Sequence, residues 1–375
     1  MINTLKLDTL PIMTQCGGPN PIPERVLHAI SKQTLYHYDP VFLEIYKDTT
    51  AKVQKLLRTE NDVIMMHGEA VLGLEAAAAS LVNPGDTCLN LVSGPFGQGY
   101  ARHLKRTGGN VVEIVVPFNE SVKAEQVEDM FRKNPDIRIV SMVHSETPAG
   151  TLNPVKEICE IAKKYGAVTV ADAVSSAGGI DVQPDWGIDV CITSPQKCIS
   201  GTPGTAIAAV SEDAWNKMKS NDTPLRGSIL SMLDMKERWL EGGRFPYTPS
   251  VNQVYSINEA ITVILEEGLD NVLNRHKRVA EYCRYQVKDL GLELWPASDD
   301  IIADCVTAIT MPEGTNDAEL RGIMRDRYKV MISGSHGDLS GKLIRIGHMG
   351  HTAYEAKVMI AVDALKSTLK DLGLL

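Results

Sequence analysis

Short apolar runs rich in valine and isoleucine recur from about residue 60, each followed by a stretch with helical periodicity. Residues 63–66 precede an alanine-rich helical pattern over 71–81. Residues 88–92 follow a Pro84-Gly85-Asp86 turn and lead to a helical segment at 99–106. Residues 111–116 precede a helix over 124–133, and 137–143 precede 155–165, where Ile158, Ile161 and Ala162 recur at helix spacing. Runs at 167–171, 190–192 and 205–210 complete the series. Such runs suit strands buried on both faces. Their alternation with helices predicts an α/β fold on a mostly parallel, doubly wound sheet. The rhythm breaks after Phe245-Pro246-Tyr247-Thr248-Pro249. A long helical region, about 253–290, then runs into a second α+β segment. A boundary is therefore expected near residue 255, between a large unit (1–255, with an N-terminal arm) and a smaller one (256–375).

Composition narrows the class. The 375 residues include 38 Lys or Arg and 47 Asp or Glu, a net charge of −9 that argues against a nucleic-acid partner. Hydrophobic residues make up 43%, enough for a sizeable core. No run of about 18 apolar residues suggests a membrane span, and Met1-Ile2-Asn3-Thr4-Leu5-Lys6 has no apolar signal segment. The cysteines (16, 88, 159, 191, 198, 283, 305) are odd in number and never spaced C-x-x-C. That pattern favours reduced thiols in a cytoplasmic compartment over a disulfide framework or a metal site. A cytosolic enzyme or a small-molecule-binding protein remains.

In open α/β sheets, ligands bind beyond the carboxyl ends of the strands. The polar residues there are Glu69, Ser93-Gly94-Pro95-Phe96-Gly97, His144-Ser145-Glu146-Thr147-Pro148, Asp172 and Ser194-Pro195-Gln196-Lys197. A parallel sheet would gather all five groups on one edge. Read singly, each is ordinary: Lys197 a surface charge, Asp172 a helix cap, Phe96 a core ring. Together they suggest more. A lysine in a partly desolvated site loses basicity, so its neutral amine can attack a carbonyl and form a Schiff base. A carboxylate at strand-end depth can hold a pyridine nitrogen protonated, which makes that ring an electron sink. Phe96, just after Ser93-Gly94, could cover a ring face.

Four stretches carry a resemblance over nearly the full length. They are Gly17-Gly18-Pro19-Asn20-Pro21, Gly73-Leu74-Glu75-Ala76, Val170-Ala171-Asp172-Ala173-Val174-Ser175-Ser176 and Ser194-Pro195-Gln196-Lys197. With them the chain resembles the class V, fold-type I aminotransferases of the alanine–glyoxylate and serine–pyruvate group. The resemblance implies a large domain with a mostly parallel seven-stranded sheet and a smaller C-terminal α+β domain. It implies that Lys197 bonds the pyridoxal carbonyl carbon, Asp172 pairs with the ring nitrogen, Phe96 stacks and Thr147 contacts the ring-oxygen side. Val174, Gln196 and Thr248 fall among the cofactor positions, Arg345 and Tyr36 among those for substrate. A homodimer or homotetramer is implied, with 245–248 reaching a neighbouring site.

Two departures stand out. His67-Gly68-Glu69 puts Glu69 where a phosphate-binding serine is expected, and Phe245 replaces a phosphate-contacting tyrosine. With Leu35-Tyr36-His37-Tyr38-Asp39-Pro40 and Arg345-Ile346-Gly347-His348-Met349-Gly350, they resemble the branch that takes unphosphorylated pyridoxamine and pyruvate to pyridoxal and L-alanine. His336 stands at the place of that branch's second arginine, which leaves the 2-oxo acid open. Two alternatives remain. One is a pyridoxal-phosphate-dependent alanine–glyoxylate or serine–pyruvate aminotransferase; the other is a non-catalytic pyridoxal-binding protein. No metal is expected.

Overall fold

A computed structural model describes residues 13–375; Met1-Ile2-Asn3-Thr4-Leu5-Lys6, the stretch without an apolar signal segment, lies outside the described residues. In chain order the strands are β1 (Met13–Gln15), β2 (Asp62–His67), β3 (Thr87–Val92), β4 (Asn110–Val115), β5 (Ile137–Val143), β6 (Ser145–Glu146), β7 (Thr151–Leu152), β8 (Val168–Asp172), β9 (Val190–Thr193), β10 (Thr205–Val210), β11 (Val306–Thr310), β12 (Val330–Gly334) and β13 (Leu343–Gly347). The helices that position the site are α1 (Glu24–Ile30), α2 (Pro40–Leu57), α3 (Ala70–Leu81), α4 (Pro95–Arg106), α5 (Ala124–Lys133) and α6 (Val155–Lys164).

The main sheet has seven strands in the order β2-β10-β9-β8-β5-β3-β4. Neighbours from β9 to β4 pair in parallel, whereas β10 runs against both β9 and β2. The two reversals cancel, so β2, β3, β5, β8 and β9 all end on one edge. β9 and β10 are buried at every residue, as an apolar run without alternation requires. α6 shows how the covering helices form: Val155, Ile158, Cys159, Ile161 and Ala162 make its buried face. Lys163 and Lys164 fall in its last turn, where the helix dipole favours cations.

The second sheet, β1-β12-β13-β11, has its own core of Val330, Ile332, Ile344, Ile346, Val358 and Leu365. β1 pairs with β12, so the first described strand belongs with the last part of the chain. The long helical region between the sheets is two helices, Val251–Glu267 and Leu269–Asp289, and not one. Gly268 separates them at φ +88, a left-handed conformation that interrupts the helical ladder. Among the described residues no helix is long and apolar enough to cross a membrane.

Candidate active site

Lys197 sits four residues beyond the end of β9, half-buried. Its Nζ donates to the Gly17 carbonyl at 2.6 Å. The next residue, Gly18, has φ +95, and a Cβ there would fall 2.4 to 2.8 Å from Lys197 Cδ, Nζ and Cε. Asn20 fastens this segment: its side-chain amide donates to the carbonyls of Lys197 (3.2 Å) and Met349 (2.9 Å), and its backbone amide to Gln196 (3.0 Å). Burial pulls the lysine pKa down and the Arg345 charge adds to this, while Cys305 and Asp172 oppose it. The amine is thereby easier to hold neutral.

Asp172 ends β8, in register with Val143 on β5 and Ile192 on β9. Its Oδ1 accepts from the Val174 amide at 3.0 Å. Burial raises its pKa to about 6, against the Val174 hydrogen bond and the Lys197 charge. Val174 itself is buried. Thr147 Oγ1 lies 2.7 Å from Ser175 Oγ, both in the turns that follow the strand ends. Phe96 occupies the first turn of α4, its ring 5.5 Å from that of His336.

Glu69 is the N-cap of α3. Its Oε2 accepts from the Val71 amide at 2.9 Å and its Oε1 from Gln196 Nε2 at 2.8 Å. Gln196 is fixed in turn by Ser194, whose Oγ lies 2.5 Å from Gln196 Oε1. The carboxylate thus satisfies a helix N-terminus, the place where an external anion would otherwise bind.

The small sheet contributes Arg345, at the middle of β13 and buried. Nε and Nη2 donate to the Gly334 carbonyl (2.8 and 2.6 Å), and Nη1 donates to the Thr147 carbonyl (2.9 Å). A guanidinium has five N–H groups, so one N–H remains on each terminal nitrogen. No carboxylate pairs with Arg345 among the described residues, and burial lowers its pKa to about 10. His336 is exposed at the end of the turn after β12. Partial burial and the charges of Arg345 and Lys197 lower its pKa, which keeps the imidazole mainly neutral near pH 7.

Lys197, Asp172, Glu69, Gln196, Phe96, Thr147 and Val174 are thus gathered at the edge of the main sheet, with Arg345 and His336 reaching them from the small sheet. Tyr36 and Thr248 are exposed and make no hydrogen bond to any of these groups within the chain. Phe245 does not face outward, as its expected contact with a neighbouring subunit would require. It is buried, stacked on Trp239 at 3.8 Å and edge-on to Tyr46 at 5.0 Å; a ring without a hydroxyl gains most there. Glu146 is the neighbour that the sequence places at a strand end without assigning it a role. Fully buried on β6, it accepts from the amides of Gly97 (2.7 Å) and Phe96 (3.3 Å). Burial raises its pKa to about 8, and Asp172 adds to the rise. The only signal was an acid among the hydroxyl and apolar residues at the end of β5.

The model of the family "Aminotransferase class-V" matches residues 18–308. This chain belongs to the class V aminotransferase family. It is a transaminase of fold type I, in a family dependent on pyridoxal phosphate. The pyridoxamine–pyruvate transaminase of Mesorhizobium japonicum is 41% identical, over 97% of this chain and 93% of that protein. An uncharacterised aminotransferase of Methanocaldococcus jannaschii is 36% identical, over 98% and 95%. The crystal structure of pyridoxamine-pyruvate aminotransferase from Mesorhizobium loti superposes with a TM-score of 0.94 at 40% identity, covering 97% of this chain and 93% of that one.

Proposed function

We propose that this aminotransferase moves the amino group of unphosphorylated pyridoxamine to pyruvate, giving pyridoxal and L-alanine, at the cluster around Lys197. One observation carries the reading: the start of α3 is already capped by the Glu69 carboxylate. Two unit charges about 4 Å apart, at an effective dielectric near 20, repel by roughly 4 kcal/mol. Solvent screens the exposed Glu69 and lowers that figure, but a phosphate dianion meets the repulsion twice. Even about 2 kcal/mol is more than tenfold in affinity. The reaction in the name of the 41%-identical relative supports the same substrates here.

The residues present fit a pyridoxal ring. A desolvated amine faces the Gly17 carbonyl, a half-buried acid ends β8, and Phe96 offers a ring face. The bound ring supplies an electron sink for the carbon that loses its proton. In this reading Lys197 takes the proton from the exocyclic methylene carbon and returns it to the α-carbon of the amino acid being formed. Asp172 keeps the ring nitrogen protonated, Phe96 and Val174 bracket the ring, and Thr147 orients its oxygen side. Glu69, held by Gln196, fills the phosphate place. Arg345 binds the substrate carboxylate through its two remaining N–H groups, and neutral His336 adds a hydrogen bond beside it.

The wider reading is a cytoplasmic homo-oligomer of two-domain subunits divided near residue 255, within the helix Val251–Glu267. Seven unpaired thiols support the compartment. The exposure of Tyr36 and Thr248 supports their lining a neighbour's site. Borohydride reduction after incubation with pyridoxal, and separately with pyridoxal phosphate, tests the function. Mass analysis should find a pyridoxal adduct on the Lys197 peptide, and pyridoxamine with pyruvate should yield equimolar pyridoxal and alanine. An adduct with the phosphorylated form alone would overturn the assignment.

A further inference from the structure

Phe96 and Tyr100 are four residues apart on α4 and so share a helix face. Against Asp172 lies a cavity of about 10 Å³ whose lining includes Asn90, Phe96, Tyr100, Ser141, Val170 and Asp172. Tyr100 is only 6% exposed, and its hydroxyl has no hydrogen-bond partner within the protein. Its polar neighbours are engaged elsewhere. The Asn90 amide donates to the Gly97 carbonyl and to Glu113, and its side-chain oxygen lies 2.8 Å from Ser141 Oγ. A buried hydroxyl left unpaired is costly, and about 10 Å³ is room for one water.

We propose that Tyr100 is a positioning residue for Asp172, acting through one water held in this cavity. The water accepts from the Tyr100 hydroxyl and donates to the Asp172 carboxylate, whose Oδ1 already takes the Val174 amide. The charged and titratable groups around Asp172 divide. Lys197 favours its anion; Glu69 at α3, Glu146 on β6 and Cys191 on β9 do not. A donor in the cavity shifts that balance toward the ionised form and holds the carboxylate in place. The role rests on reading Asp172 as the ring-nitrogen partner.

The test is a carbon-13 NMR titration of labelled aspartate in the ligand-free protein, with the Asp172 signal assigned by its loss in Asp172→Asn. Tyr100→Phe should raise the Asp172 titration by about one unit, a tenfold change in its ionisation constant. Val170→Ile keeps the tyrosine but fills the cavity, and should produce the same rise. Tyr46→Phe, a buried hydroxyl outside the site, should leave it unmoved. The acid limb of the pH–rate profile should follow Asp172 in both cavity variants, with the alkaline limb fixed. An unchanged Asp172 in Tyr100→Phe overturns the proposal, and a shift there without one in Val170→Ile overturns the water. Neither pyridoxamine nor pyruvate enters the titration, so an error in the substrate assignment would leave its result standing.

Discussion

Asp172 and Glu146 are both pushed upward by burial, yet they affect the protein differently. Asp172 titrates near 6 in the ligand-free protein, so kcat/KM should fall about tenfold per pH unit below that value as the acid takes up a proton. Glu146 rises from an ordinary 4.5 to about 8. Between those values the folded protein holds a proton that the unfolded chain has released. Its contribution to stability is therefore greatest below about 4.5 and declines as pH rises to about 8. Glu146→Gln should flatten that slope in denaturant titrations run across the window. Lys197→Ala should lose amino transfer; normal turnover would remove the lysine from the reaction. Lys197 and Asp172 were legible in the sequence because each stands at or just beyond the end of an apolar run. The part played by Glu146 was not, although its strand-end stretch was, because its partners are main-chain amides about fifty residues away, and amides leave no signature in a one-dimensional pattern.

Strands and covering helices could be read from the chain wherever burial produces a period. The βα alternation from β2 to β9 is of this kind. The break at Gly268 is not, because an apolar helical pattern continues on both sides of it. The N-terminal segment was legible only as a motif. Its pairing with β12 joins residues more than 300 positions apart, a distance no local period spans. Gly18 gives this element its clearest test. Alanine there would be held in a left-handed conformation at a cost of about 1–2 kcal/mol, with its methyl group against the lysine side chain. Gly18→Ala should lower turnover more than tenfold while the melting temperature falls by only a few degrees.

Across the whole molecule, the two sheets divide the work. The large sheet carries Lys197, Asp172 and Glu69; the small one presents Arg345 and His336. Arg345→Lys keeps the charge but not the paired N–H groups, so the KM for the 2-oxo acid should rise more than tenfold while that for pyridoxamine changes little. Fold class was readable at this scale from the rhythm of the strands. The sites of Tyr36 and Thr248 were not, since a single chain holds both at its surface. The chain's first described strand is part of the small sheet, and the residues after it cover the lysine. There Lys197 rests on a peptide oxygen, not on a carboxylate. Such an acceptor takes no proton and leaves no stranded anion when the lysine departs. The swing from rest to attack separates a single hydrogen bond to a neutral group, so no ion pair has to be broken each time the amine moves.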